Sequence, residues 1–75
     1  MKKTAGYEYR FKAIRRAIQS VGNYEESVRV WPDTMYDKIV FNYKIDESLP
    51  RSIIDKLREA IELEAGKLNF DVSMH

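Results

Sequence analysis

The chain has 75 residues, of which 44% are hydrophobic and 33% are charged, and its 13 lysines and arginines nearly balance its 12 acidic residues. This length allows one domain, residues 1–75, and the composition is typical of a folded chain rather than a disordered one. The sequence contains no cysteine, which excludes disulfide bonds, thiolate metal sites and thiol catalysis. We expect residues 1–6 to form a flexible, basic N-terminal segment.

The sequence does not predict contact with a membrane. No apolar run approaches the roughly 18 residues of a membrane-spanning helix. The basic start Lys2-Lys3 is followed by Tyr7-Glu8-Tyr9-Arg10, where a secretory signal requires an apolar stretch. We therefore expect a cytoplasmic protein without a membrane partner.

The first predicted element is an amphipathic helix over residues 7–21. Its apolar residues recur at steps of four and three, which places them on one side of a helix. They are Tyr7, Phe11, Ile14, Ile18 and Val21. Gly22 is suited to end this helix. The opposite side is expected to be basic, and it carries Lys12, Arg15 and Arg16.

Two strands follow, and we expect them to form a hairpin. Residues 27–31 alternate between polar and apolar up to Pro32, which lacks an N–H for a strand ladder and is expected to end the strand. Residues 32–35 then form the predicted turn. The second strand covers residues 36–45, and its predicted core face consists of Ile39, Phe41, Tyr43 and Ile45.

A second helix and a third strand complete the predicted elements. Ser48 ahead of Leu49-Pro50 is typical of a helix start, and the apolar arc that follows continues to Gly66, the predicted end. Residues 67–74 then alternate without exception, which predicts a half-buried strand. Its apolar side consists of Leu68, Phe70, Val72 and Met74.

These elements predict an α+β fold, a two-layer open-faced sandwich in the order α-β-β-α-β, with a three-stranded sheet and two helices on one face. Each strand has one apolar and one polar side, so the helices are expected to cover one face of the sheet only. A right-handed crossover through the second helix would make the third strand parallel to the second.

The sequence is poor in groups that could perform catalysis. Its sole histidine, His75, is the last residue, where we expect the chain to fray rather than to hold a base in place. The three glycines stand apart at positions 6, 22 and 66, so no glycine-rich phosphate loop is present. We therefore expect no enzyme, no cofactor, no metal and no small-molecule substrate.

The uncovered sheet face is the main candidate for a binding surface. The residues expected to contact a macromolecular partner are Arg29, Trp31, Lys38, Val40, Asn42 and Lys44. The third strand is expected to add Lys67, Asn69, Asp71 and Ser73 to this face. Its edge carries no proline, and such an edge can recruit another strand. These features predict a small non-catalytic protein-interaction module that binds a protein partner or forms a homodimer, a build common among accessory proteins of bacteria and phages.

The alternative is a protein that binds nucleic acid. Trp31 among cations is similar in kind to platforms that stack single-stranded bases. The residues that would serve it are Lys12, Arg15, Arg16, Arg29, Lys38 and Lys44. Solvated charged surfaces account for the same residues, and a nearly neutral chain is atypical of a dedicated polyanion binder. The sequence leaves both functions open.

Overall fold

A computed structural model of the chain describes the backbone of residues 2–35 and 38–75 and the side chains of residues 8–33 and 40–75. The elements in chain order are α1 (Lys2–Val21), a short 3₁₀ turn (Glu25–Ser27), β1 (Val28–Met35), β2 (Lys38–Ile45), α2 (Arg51–Leu68) and β3 (Asp71–Met74). The order α-β-β-α-β confirms the predicted α+β fold. Within the described residues, neither helix combines the length and the hydropathy of a membrane span.

The three strands form one mixed sheet with β2 in the centre. β1 pairs with β2 antiparallel and β3 pairs with β2 parallel, so the sheet order is β1-β2-β3. The parallel pairing of β3 agrees with the crossover expected for a strand that is reached through a helix. Both β1 and β3 are therefore edge strands.

The core lies between the sheet and the two helices. α1 contributes Ala13, Ile14, Ala17 and Ile18, α2 contributes Leu57, Ile61 and Ala65, and the sheet side contributes Val28, Phe41, Tyr43, Ile45 and Phe70. Val72 is half-buried against this cluster. None of the described residues predicted for the opposite sheet face belongs to it. The sheet is therefore covered on one face, as the alternation of its strands predicts.

A side-chain hydrogen bond of Tyr43 connects the central strand to α2. Its ring is fully buried, and its hydroxyl donates a hydrogen bond of 3.2 Å to the Glu62 carboxylate. Burial, followed by the negative charge of Glu62, raises the pKa of the Tyr43 phenol above its usual value of 10.0. The phenol thus stays protonated, as a donor to a carboxylate must.

The predicted turn at residues 32–35 is wrong, because β1 continues through Pro32 to Met35. Pro32 pairs with Phe41 in the ladder. β1 is an edge strand, and proline is tolerated there when its missing N–H would face away from the neighbouring strand. β2 begins at Lys38, and residues 36 and 37, which the sequence assigns to the second strand, lie outside the described residues.

Both predicted ends of α2 are also wrong. Ser48 does not cap the helix. Its N–H and hydroxyl bond to the Asp46 carboxylate in a turn, and the helix begins after Pro50. At the other end the helix passes Gly66 and stops at Asn69, which adopts the left-handed conformation with φ of 60°. Asn69 and Phe70 donate back to the carbonyls of Gly66 and Ala65, which is a Schellman motif.

This longer helix changes the third strand. β3 begins at Asp71, whereas the sequence predicts a strand from residue 67. Lys67 lies in the last turn of α2 and Asn69 at its C-cap, so neither belongs to the open sheet face. Residues 67–70 do alternate between polar and apolar, but α2 continues to Leu68 instead of ending at Gly66. It can do so because Asn69 tolerates the left-handed backbone conformation that ends the helix.

α1 begins at Lys2, five residues before the predicted start. The predicted start rested on the apolar stripe, which begins at Tyr7. Lys2, Lys3 and Ala5 have high helix propensity and favour an extension of the helix beyond that stripe, which Thr4 and Gly6 do not prevent. The side chain of Tyr7 lies outside the described residues.

Candidate functional site

The centre of the open sheet face is a row of three residues, one from each strand. Trp31 of β1 lies opposite Asn42 of β2, and Asn42 lies opposite Ser73 of β3. Trp31 is the fourth residue of the eight-residue strand β1, so it stands near the middle of this edge strand rather than at the strand end predicted from Pro32. Its side chain remains partly exposed, at 38%.

Asn42 is buried, with 6% of its surface exposed, although it points away from the core. The residue that helps cover it is His75. The imidazole Nε2 of His75 lies 2.8 Å from the Asn42 Oδ1, and the ring centroids of His75 and Trp31 lie 5.2 Å apart at a tilt of 43°. Two rings therefore flank the amide on the open face.

The expectation that His75 frays is wrong. Its backbone N–H donates a 2.8 Å hydrogen bond to the Tyr43 carbonyl, which extends the β2–β3 ladder by one residue beyond Met74. Because strand side chains alternate, His75 falls on the same face as Asp71 and Ser73. We name the Trp31, Asn42 and His75 group the aromatic platform.

The charges on this face are mixed. Arg29 and Lys44 lie opposite each other at one end, and both are exposed. At the other end Val40 is half-buried between Asp33 and Asp71, two exposed acids in register with it on the neighbouring strands. The described side chains thus give two cations and two acids, a balance unlike the single-sign surface that a polyanion selects.

The cationic pair has acidic surroundings as well. The shallow depression that Arg29 and Lys44 line also includes Glu26, Asp46 and Glu47. The Ser48 N–H and hydroxyl that bond to Asp46 lower the pKa of its carboxyl below the usual 3.8, so this acid is ionised at neutral pH. Nearby carboxylates reduce the positive potential of the pair.

The predicted basic side of α1 is only partly free. The Arg15 guanidinium donates to the Glu25 carboxylate at 2.7 and 3.2 Å, and the Gln19 amide donates to the same carboxylate at 2.7 Å. These hydrogen bonds, that from Arg15 above all, hold the pKa of Glu25 below its usual 4.5. Lys12 and Arg16 are exposed.

The residues of the nucleic-acid alternative therefore do not form one surface. α1 packs against the core face of the sheet, whereas Arg29 and Lys44 point from the opposite face. Lys12, Arg15 and Arg16 thus lie in a different layer from the sheet cations. The side chain of Lys38, which belongs to both predicted sets, lies outside the described residues.

The free edge of β3 is the second candidate surface. Since the His75 N–H points to β2, the N–H groups of Ser73 and Asp71 do so too, because alternate residues of a strand direct their N–H groups to the same side. The N–H and carbonyl groups of Val72 and Met74 therefore point away from the sheet. No other strand of the described chain pairs with this edge. Met74 is also 43% exposed.

The two edges of the sheet differ. The same alternation puts Pro32 of β1 at a position whose backbone points outward, because it pairs with Phe41, which directs its own N–H and carbonyl to β3. Pro32 thus removes one donor from the outer edge of β1 and none from the sheet. The described residues of β3 include no proline, so its edge has no such block.

The sequence analysis did not place His75 on the sheet, although the alternation of the third strand indicates that position. Asp71, Ser73 and His75 continue the polar side of an alternating strand, so one further residue of strand places the imidazole on the sheet. Across the described residues, no cluster of three His, Asp or Glu side chains has the arrangement of a metal site.

Comparisons with protein-family models, with curated proteins and with solved structures give no match to this chain. The open sheet face and the free edge of β3 are therefore the two candidate binding surfaces of the chain.

Proposed function

We propose that this chain is a non-catalytic protein-interaction module that forms a homodimer through the edge of β3. The observation that carries this proposal is the outward-pointing backbone of Val72 and Met74 on an edge without proline. Strand addition satisfies such groups with main-chain hydrogen bonds, and a second copy offers the same edge. A small domain also gains stability from association, because it buries little surface on its own.

The open face would remain uncovered in such a dimer, which leaves the aromatic platform for a macromolecular partner. Trp31 and His75 supply rigid contact area, and the exposed cations and acids around them suit a protein surface of mixed charge. Of the residues predicted to bind the partner, Arg29, Trp31, Val40 and Lys44 are proposed as direct contacts, and Asn42 supports the platform from beneath His75. The side chain of Lys38 lies outside the described residues.

Light scattering over a concentration series tests the self-association. The wild-type chain is expected to approach twice its monomer mass of 8.9 kDa as concentration rises. Met74→Pro removes an outward N–H that the monomer does not use, so it should shift the mass toward one chain while the circular dichroism spectrum stays unchanged. Met74→Ala is the matched control, since it shortens the side chain and keeps the N–H. A wild-type chain that stays monomeric at high micromolar concentration would refute the homodimer.

Binding to single-stranded nucleic acid is the second candidate, and the nearby rings of Trp31 and His75 favour it. Rings on an open sheet can stack bases. Fluorescence anisotropy with a labelled single strand should show binding that weakens steeply with salt and is lost in Trp31→Ala. The duplex of the same sequence is the control. Absence of binding at low salt would remove this candidate.

A further inference from the structure

We propose that the two copies pair antiparallel along β3, with Ser73 of each copy on the two-fold axis. This inference rests on the self-association proposed above and specifies its register. The occupant of the β3 edge is a second copy of this chain, and the result is a continuous sheet of six strands.

The direction of the backbone groups limits the possible registers. Residues directly opposite in an antiparallel pair place their side chains on the same face of the sheet, which excludes half of the registers. Among the remaining registers, the one centred on Ser73 places Val72 of each copy opposite Met74 of the other copy. Both residues point their N–H and carbonyl groups outward, so all four new hydrogen bonds fall within Asp71–Met74.

A register centred on Val72 uses the edge less well. It places Phe70 opposite Met74 of the second copy, but the Phe70 N–H already donates to the Ala65 carbonyl at 3.0 Å in the Schellman motif. Phe70 also precedes the first residue of β3. One member of that pair would therefore lack a free donor.

The side chains across the proposed seam are complementary. On the core face, Val72 meets the exposed side chain of Met74, an apolar pair. On the open face, the exposed polar side chains of Asp71 and of His75 of the second copy face each other, so the seam buries no unlike pair there. Cross-strand pairs of this kind stabilise a sheet.

Single cysteines test this register, because the natural chain has none. Ser73 uses its own N–H within the sheet, so Ser73 and its copy would form a non-hydrogen-bonded pair with Cα atoms roughly 4.5 to 5.5 Å apart, within reach of a disulfide. Asp71 and its copy would lie on the order of 14 Å apart, beyond that reach. Ser73→Cys and Asp71→Cys are thus a matched pair on one strand face.

The experiment oxidises both variants with glutathione disulfide and resolves the products on a non-reducing gel. Ser73→Cys is expected to form a covalent dimer at least tenfold faster than Asp71→Cys, and denaturation of the protein before oxidation should abolish the difference. Equal rates, or no cross-link in a chain that light scattering shows to be dimeric, would overturn the register and leave the homodimer standing. A monomer in light scattering would overturn both.

Discussion

Phe41 and Phe70 meet edge to face, with ring centroids 5.9 Å apart and planes inclined at 72°. Phe41 belongs to the central strand, and Phe70 lies directly between the end of α2 and the start of β3. Both are buried. The contact therefore fixes the place where the chain leaves the helix layer and enters the sheet, and edge-to-face rings contribute about 0.5 to 1.5 kcal/mol beyond the area that they bury.

Truncation of either ring should remove much of the stability of the domain. We expect Phe41→Ala and Phe70→Ala each to lower the free energy of unfolding by about 3 to 5 kcal/mol, through lost burial and the cavity left behind. Urea denaturation followed by circular dichroism measures this. The control is Lys44→Ala, an exposed change on the opposite sheet face that should have little effect. Equal losses in all three variants would contradict the assignment of the two faces.

Substitutions at the C-cap residue of α2 should change the stability of the domain according to how well the new residue adopts the left-handed backbone conformation. Asn69 is exposed and has φ of 60°, a region that costs an ordinary L-residue about 1 to 2 kcal/mol. Asn69→Ala should therefore destabilise the domain by about 1 kcal/mol, whereas Asn69→Gly should match or exceed the wild type. Thermal unfolding of the two variants side by side is the measurement. A glycine variant less stable than the alanine variant would disagree with this cap.

Removal of the His75 imidazole should lower the stability of the domain and change the surroundings of Trp31 in the aromatic platform. His75→Ala takes away the partner of the buried Asn42 amide, and the expected loss in unfolding free energy is about 1 kcal/mol. The tryptophan emission should also shift to longer wavelength, because water replaces the imidazole beside the Trp31 ring and the indole becomes more exposed. Both readings are taken at one fixed protein concentration, since association alters apparent stability. An unchanged emission spectrum would show that His75 does not contact Trp31 in solution.

Stability should decline in acid, in part through Glu25. Arg15 and Gln19 hold the folded pKa of Glu25 below its usual 4.5, so the unfolded chain binds more protons than the folded chain in this range. The contribution is therefore present above pH 4.5 and is lost as the pH falls through the folded pKa. Glu25→Gln should reduce the difference in stability between pH 7 and pH 3, measured by urea denaturation. Glu59→Gln, at an exposed glutamate of α2, serves as the control, and an equal reduction there would contradict the role of Arg15.

The sequence by itself determined the type and order of the elements and the sidedness of the sheet. The steps of the apolar residues in α1, such as Ile14 to Ile18, and the alternation from Phe41 to Ile45 are local periodicities. Such a periodicity predicts the element and its buried side in the folded chain, because a helix or strand packs with its apolar side against the core.

Only the tertiary structure decided where several elements end and which residues meet. Pro32 remains in a strand because β1 lies at the sheet edge, and α2 passes Gly66 because Asn69 and Phe70 can close its last turn. His75 reaches Asn42 because β2 offers a free carbonyl beside it. Each of these outcomes depends on which strand or helix is the neighbour, and a neighbour in space is not encoded in any short stretch of sequence.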